Sequence, residues 1–174
     1  MNTRKSMKLP IVITFLFMFI IVYLFMNIKQ TVVVCEKETT FDSDIRLVET
    51  VTANIDGKKI TSLTIRKKVT VPDKYSKQEE ALNGIKNSFD YTTEYLGNSA
   101  TSVIRDNHVI EEIEVNNNEL VLLDNISFVD NNGEIGISIN TNTKSSDVIA
   151  LRVGDSYTDG EFMMHLKNKG YSCK

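Results

Sequence analysis

Residues Leu9 to Ile28, "LPIVITFLFMFIIVYLFMNI", contain no charged side chain, and only Pro10, Thr14 and Asn27 interrupt their apolar character. A helix rising about 1.5 Å per residue covers roughly 30 Å over such a run, the thickness of a bilayer's hydrocarbon core. Everything else in the chain must fold on one side or the other of this segment. A cleaved signal peptide has a shorter apolar region, about 7 to 15 residues, and a small-residue cleavage site. Here "NIKQTVVVCE" follows instead, and the run reads as an uncleaved anchor. Arg4, Lys5 and Lys8 precede it and Lys29 follows it closely, which by the positive-inside rule places residues 1–8 in the cytoplasm. The expected organisation is a cytoplasmic stretch at 1–8, a transmembrane anchor at 9–28, a linker at 29–35 and an extracytoplasmic domain at 36–174. The expected location is a cell membrane, crossed once.

Charge narrows the partners of that outer part. The chain holds 20 Lys+Arg against 23 Asp+Glu, a net charge of −3. Four of the basic residues lie in the first 30 positions, which hold no acid, so removing them takes −3 to −7 for the remainder. Nucleic acids require clustered cations, and no nucleic-acid partner is expected. The one basic cluster, Lys58-Lys59 with Arg66-Lys67-Lys68, falls in strand-like sequence and reads as a solvated strand face.

The two cysteines, Cys35 and Cys173, bracket the exported part. In an oxidising compartment an even count is first read as a disulfide. Closing so long a loop contributes on the order of 4 to 5 kcal/mol in the chain-entropy treatment, less any native strain. Lipidation of Cys35 is a second reading, but Val34 precedes the cysteine without the small-residue box that lipid attachment uses. A thiol enzyme using Cys173 is a third. Its nucleophile needs a base or cation nearby and an oxyanion donor. His108 lies upstream, yet only Lys174 follows Cys173 where a sortase-like site would want an arginine. Two cysteines with the scattered His108 and His165 do not make a metal site, which needs three or four ligands at short spacings. No catalytic, cofactor-binding or metal-binding residues are assigned. The sequence carries no Ser/His/Asp set, paired carboxylates in an apolar context, Walker loop or G-x-G-x-x-G.

Local patterns predict an α+β domain. In "IRLVETVTANIDGKKITSLTIRKKVTV" alternating apolar residues lead into Asp56-Gly57, a hairpin-turn dipeptide, and then into Ile60, Leu63, Ile65, Val69 and Val71. A long helix follows, with Ser76 and Glu79 as a capping box, Leu82, Ile85, Phe89 and Leu96 on one face, and Gly97-Asn98 as the stop. Hairpins are expected around Asp106-Asn107, beside which His108 falls in the turn, and at Asn132-Gly133. A calcium loop at "DNNGE" is disfavoured, since an EF-hand would need oxygen ligands where Phe128 and Ile139 stand. A short final helix has Thr158 and Glu161 as a capping box, Phe162 and Leu166 on one face and Gly170 at its C′ position. His165 reads as a packing or surface residue of that helix.

The order of elements, with "GKKITSLTIRKKVTVPDKYSKQEEA" at 57–81 and "FMMHLKNKGY" at 162–171, resembles the small bacterial YehR-like lipoproteins, a family of unknown function, over most of 36–172. The resemblance implies an α+β extracytoplasmic domain and no known reaction. The chain departs from the family's pattern at the lipid site, where Cys35 lacks the box and Cys173 is added. The expected function is therefore a membrane-tethered, non-enzymatic domain that binds an envelope protein or small ligand, with the thiol enzyme as the alternative.

Overall fold

The computed structural model describes residues 17–18, 30–41, 44–75, 77–97, 99–116, 119–131, 134–142, 144, 146 and 148–174. The chain divides into two compact units, 1–30 and 31–174. Of Leu9–Ile28, the expected anchor, only Phe17 and Met18 are described, both helical and exposed; the rest lies outside the described residues. Among the described residues no helix is long and apolar enough to cross a membrane.

The second unit is α+β with mostly antiparallel sheet. In chain order its elements are β1 (Gln30–Thr40), β2 (Arg46–Asp56), β3 (Lys59–Thr70), α1 (Gln78–Leu96), β4 (Ser99–Arg105), β5 (His108–Val115), β6 (Leu120–Leu123), β7 (Ile126–Asn131), β8 (Glu134–Ile139), β9 (Ile149–Arg152), α2 (Asp159–Lys167) and β10 (Ser172–Cys173). A six-stranded sheet has the order β10-β1-β2-β3-β5-β4, and β6-β9 and β7-β8 form two-stranded ladders. Residues 30–35, expected to be a linker, instead form the first half of β1. The alternation Val33, Cys35 buries one side of that half-strand, a pattern too short to have been separated from the preceding apolar run.

The β2–β3 hairpin follows the expected alternation with one change. Asp56 pairs with Lys59, so the two-residue loop is Gly57-Lys58 and not Asp56-Gly57. Gly57 takes the left-handed conformation at φ 61° that a side chain would resist. A bulge supplies the reason for the shift: Asn54 pairs with Ser62 but Ile55 with Ile60, leaving Thr61 as an extra residue whose hydroxyl donates to the Asn54 carbonyl at 3.1 Å. Strict alternation backward from Leu63 would send Thr61 inward and Ile60 to solvent. The bulge reverses that parity, and both Ile55 and Ile60 are buried.

Asp106-Asn107 forms the expected turn between β4 and β5, with Asp106 at φ 51°. His108 opens β5, paired with Arg105 on β4 and Thr70 on β3. Helix α1 buries Leu82, Ile85 and Phe89, but its N-cap is Lys77, which makes no side-chain capping hydrogen bond. Ser76 of the expected capping box lies outside the described residues. Gly97 ends the helix at φ 73°, as expected, while Asn98 is not among the described residues. Strands β7 and β8 pair on either side of 132–133, which are likewise not described. At α2 the Thr158–Glu161 capping box is present in both directions, and Phe162 and Leu166 are fully buried. The helix stops at Asn168, and Gly170, two residues later, takes φ 89°.

Inward-facing side chains of the sheet meet α1, α2 and the two small ladders in two separate apolar clusters. One gathers Val51, Ile55, Leu63, Ile65, Ile113, Leu123, Leu151, Phe162 and Leu166. The other gathers Leu47, Val69, Val109, Leu82, Ile85, Phe89, Ile126 and Phe128.

Candidate functional site

What separates the clusters is a row of charge. On β2 the inward sequence reads Leu47, Glu49, Val51; on β3, Ile65, Lys67, Val69; on β5, Val109, Glu111, Ile113. Register places Glu49 directly opposite Lys67, and Lys67 directly opposite Glu111. Their exposures are 1%, 4% and 2%, so three ionisable side chains cross the middle of the core. Groups of this kind are almost never buried without partners.

Partners come from several elements around the row. From α1, Thr93 donates its hydroxyl to Glu111 Oε1 at 2.7 Å. The link between β6 and β7 brings Asp124 and Asn125: the Asp124 amide donates to Glu49 Oε2 at 3.2 Å, and Asn125 Oδ1 accepts from Lys67 Nζ at 3.2 Å. Asp124 adopts φ 53°, a conformation that Asp tolerates better than most residues. After α2, the Tyr171 hydroxyl donates to Glu49 Oε2 at 3.0 Å. From β1, Lys37 Nζ lies 2.7 Å from Asp124 Oδ1 and 5.5 Å from the Tyr171 ring centre. Lys67 and Glu111 are 3.9 Å apart, the outer limit of an ion pair.

The seam holds two cations, Lys37 and Lys67, and three carboxylates, Glu49, Glu111 and Asp124. Glu49 is the carboxyl on which the surplus falls. Burial raises its pKa above the ordinary carboxyl value, Lys67 opposes that rise, and Asp124 adds to it. Among the described residues, Glu49 Oε1 and Asn125 Nδ2 have no hydrogen-bond partner. Tyr171 is driven far above the usual phenol range, first by burial and then by Glu49 and Asp124. The void beside Lys67, Thr93, Glu111 and Asn125 measures about 10 Å³. That is the lower limit for one water. A surface recess of about 350 Å³ opens at the Lys37–Asp124 end of the seam, walled also by Phe41, Leu47, Ile126 and Lys169.

Sequence reading missed this seam and placed Lys67 on a solvated face with Arg66 and Lys68. It sought paired carboxylates in an apolar context and found none; Glu49 and Glu111 are both buried, but Lys67 stands between them. The signal was available: Ile65 and Val69 flank Lys67 at two-residue spacing, so a strand that buries them must bury it.

Cys35 and Cys173 form a disulfide, at directly paired positions of β1 and β10. His108 on β5 is four strands from β10 in the sheet. Its imidazole is held below its ordinary pKa by desolvation and then by Lys68. His165 packs its ring on Tyr157, with centres 5.6 Å apart. Among the described residues no three His, Cys, Asp or Glu side chains converge as metal ligands would.

Fold and seam together define a disulfide-closed α+β domain with a polar layer through its core. In comparisons with known proteins, no family model matches the chain, and neither does any curated protein or solved structure.

Proposed function

We propose that the chain acts as an extracytoplasmic domain, held to a membrane by Leu9–Ile28, which binds a protein or small ligand of the cell envelope and performs no catalysis. The observation that carries this reading is the Cys35–Cys173 disulfide, which engages both cysteines of the sequence. Such bonds persist in oxidising compartments and are rare where glutathione and thioredoxin keep thiols reduced. The charge-free run at 9–28 supports a tether, and the resemblance to YehR-like lipoproteins agrees with that placement. The alternative, a thiol enzyme using Cys173, would need the disulfide reduced, and His108, the base considered for it, stands four strands away from β10 in the sheet.

The test is made on intact cells expressing the full chain. External protease should remove the domain, the protein should fractionate with membranes, and alkylation under denaturing, non-reducing conditions should add no mass. Protection from protease together with two labelled cysteines would overturn the proposal.

A further inference from the structure

We propose that the Cys35–Cys173 disulfide is a latch: opening it lets the segment Gly170–Lys174 leave β1 and withdraws Tyr171 from Glu49, while the rest of the domain stays folded. The segment's attachment to β1 is narrow: the disulfide, a two-residue strand and the reciprocal bonds between Val34 and Lys174, whose amides donate to each other's carbonyls at 3.2 and 3.0 Å. Its one buried residue is Tyr171, whose ring enters the core beneath Lys37. Helix α2, just before it, is anchored separately by its capping box and by fully buried Phe162 and Leu166. Gly170, with its positive φ, is a joint between the two. Yet this segment carries the one side-chain donor to the Glu49 carboxylate among the described residues, in Tyr171.

Opening is a two-electron exchange with a dithiol reductant. One of its thiolates attacks a sulfur of the disulfide to give a mixed disulfide, and its second thiol displaces the first. The Cys35–Cys173 bond breaks, each cysteine gains a proton, and the reductant becomes the disulfide. With Tyr171 gone, water reaches Glu49 through the recess beside Lys37 and Asp124.

Glu49 is faced by Lys67 from β3, by Asp124 from the β6–β7 link and by Tyr171, with Lys37 behind Asp124 and Glu111 beyond Lys67. In the closed form burial outweighs the cations and keeps the carboxyl's pKa raised. Hydration on opening returns it toward its ordinary value, so the closed form binds the proton more tightly. Acid therefore favours closure, and the latch loosens as pH rises through the closed-form value.

Amide hydrogen exchange on the full chain in detergent micelles, oxidised and after treatment with dithiothreitol, tests this. Reduction should speed exchange at Val34 and Lys174 until it runs at least about tenfold faster than at Val51 and Ile65, which quicken only as the global stability dictates and remain the better protected pair. Unchanged exchange at Val34 and Lys174 would overturn the latch, because the strand would hold without its bond. Loss of protection at Val51 and Ile65 in step with them would overturn it too, showing a staple of the whole domain. In the reduced protein, exchange at Val34, corrected for its intrinsic pH dependence, should rise with pH in the wild type and flatten in Glu49→Gln. Parallel profiles would remove Glu49 from the device.

Discussion

The two halves of the core bury similar side chains but are closed by different means. Around Phe162 the lid is tied: α2 is capped in both directions, and a covalent bond holds the next strand to β1. Around Phe89 the lid is only laid on. Helix α1 starts without a side-chain cap, and the β7–β8 ladder belongs to neither the main sheet nor the other ladder. The 19-residue amphipathic α1 is thus placed by burial and by single hydrogen bonds such as Thr93 to Glu111, whereas the 9-residue α2 comes with caps and a cross-link after it. The charged seam runs between the two, so each half is a hydrophobic unit in its own right.

The largest test of this contrast is the cross-link. Cys35→Ser and Cys173→Ser should each destabilise the oxidised protein by on the order of 4 to 5 kcal/mol at most, and by equal amounts, in urea titrations. Unequal losses would mean that one cysteine has a separate packing role. Next come the central aromatics: Phe89→Ala and Phe162→Ala should each cost about 3 to 5 kcal/mol. Hydrogen exchange should separate them, with Phe89→Ala raising exchange first in α1 and β8, and Phe162→Ala first in α2. Identical exchange patterns would show that the seam does not divide the core.

The seam can be probed by removing its central cation. Lys67→Met leaves Glu49 and Glu111 facing each other across β3 without compensation, and about 3 to 5 kcal/mol should be lost near neutral pH. Removing the carboxylate acts in the opposite sense. Because burial raises the folded-state pKa of Glu49, its contribution to stability is full below the ordinary carboxyl value of 4.5 and is lost as pH rises through the folded value. Wild type should therefore lose stability relative to Glu49→Gln as pH increases, and parallel urea-denaturation profiles would contradict the burial argument. The smallest effect belongs to the caps. Thr158→Ala should cost about 1 kcal/mol, and Lys77→Asp, which supplies the cap α1 lacks, should gain a comparable amount in the same assay.

Most of what was legible in the sequence was local. The Asp106-Asn107 turn, the Thr158–Glu161 box and the buried faces of both helices are written within a few residues of one another. Features that depend on distant partners were harder to read. Nothing near Ile149–Arg152 announces that β9 pairs with β6, because the ladder joins residues far apart without a shared turn. Strand β1 was obscured by the apolar run before it. The bulge at Thr61 shows only when both strands are counted together, since Asp56-Gly57 is a plausible turn by itself. Lys67, Glu49 and Glu111 look like surface charges one at a time, and only the joint register of three strands reveals a layer. Of the candidate site, then, the disulfide was read from two letters while the seam required the fold.

The two residues of β10 also determine what kind of strand β1 is. With β10 in place, part of β1 is an inner strand, with neighbours on both sides. Without it, "QTVVVCEKETT" becomes the border of the sheet, with Val32 already 58% exposed and the Val34 amide and carbonyl left unpaired. Bare borders rich in β-branched residues recruit further strands from other molecules. A short strap of this kind can thus guard a protein against self-association out of proportion to the area it covers, and light scattering of Cys173→Ser at rising concentration would make that guard visible.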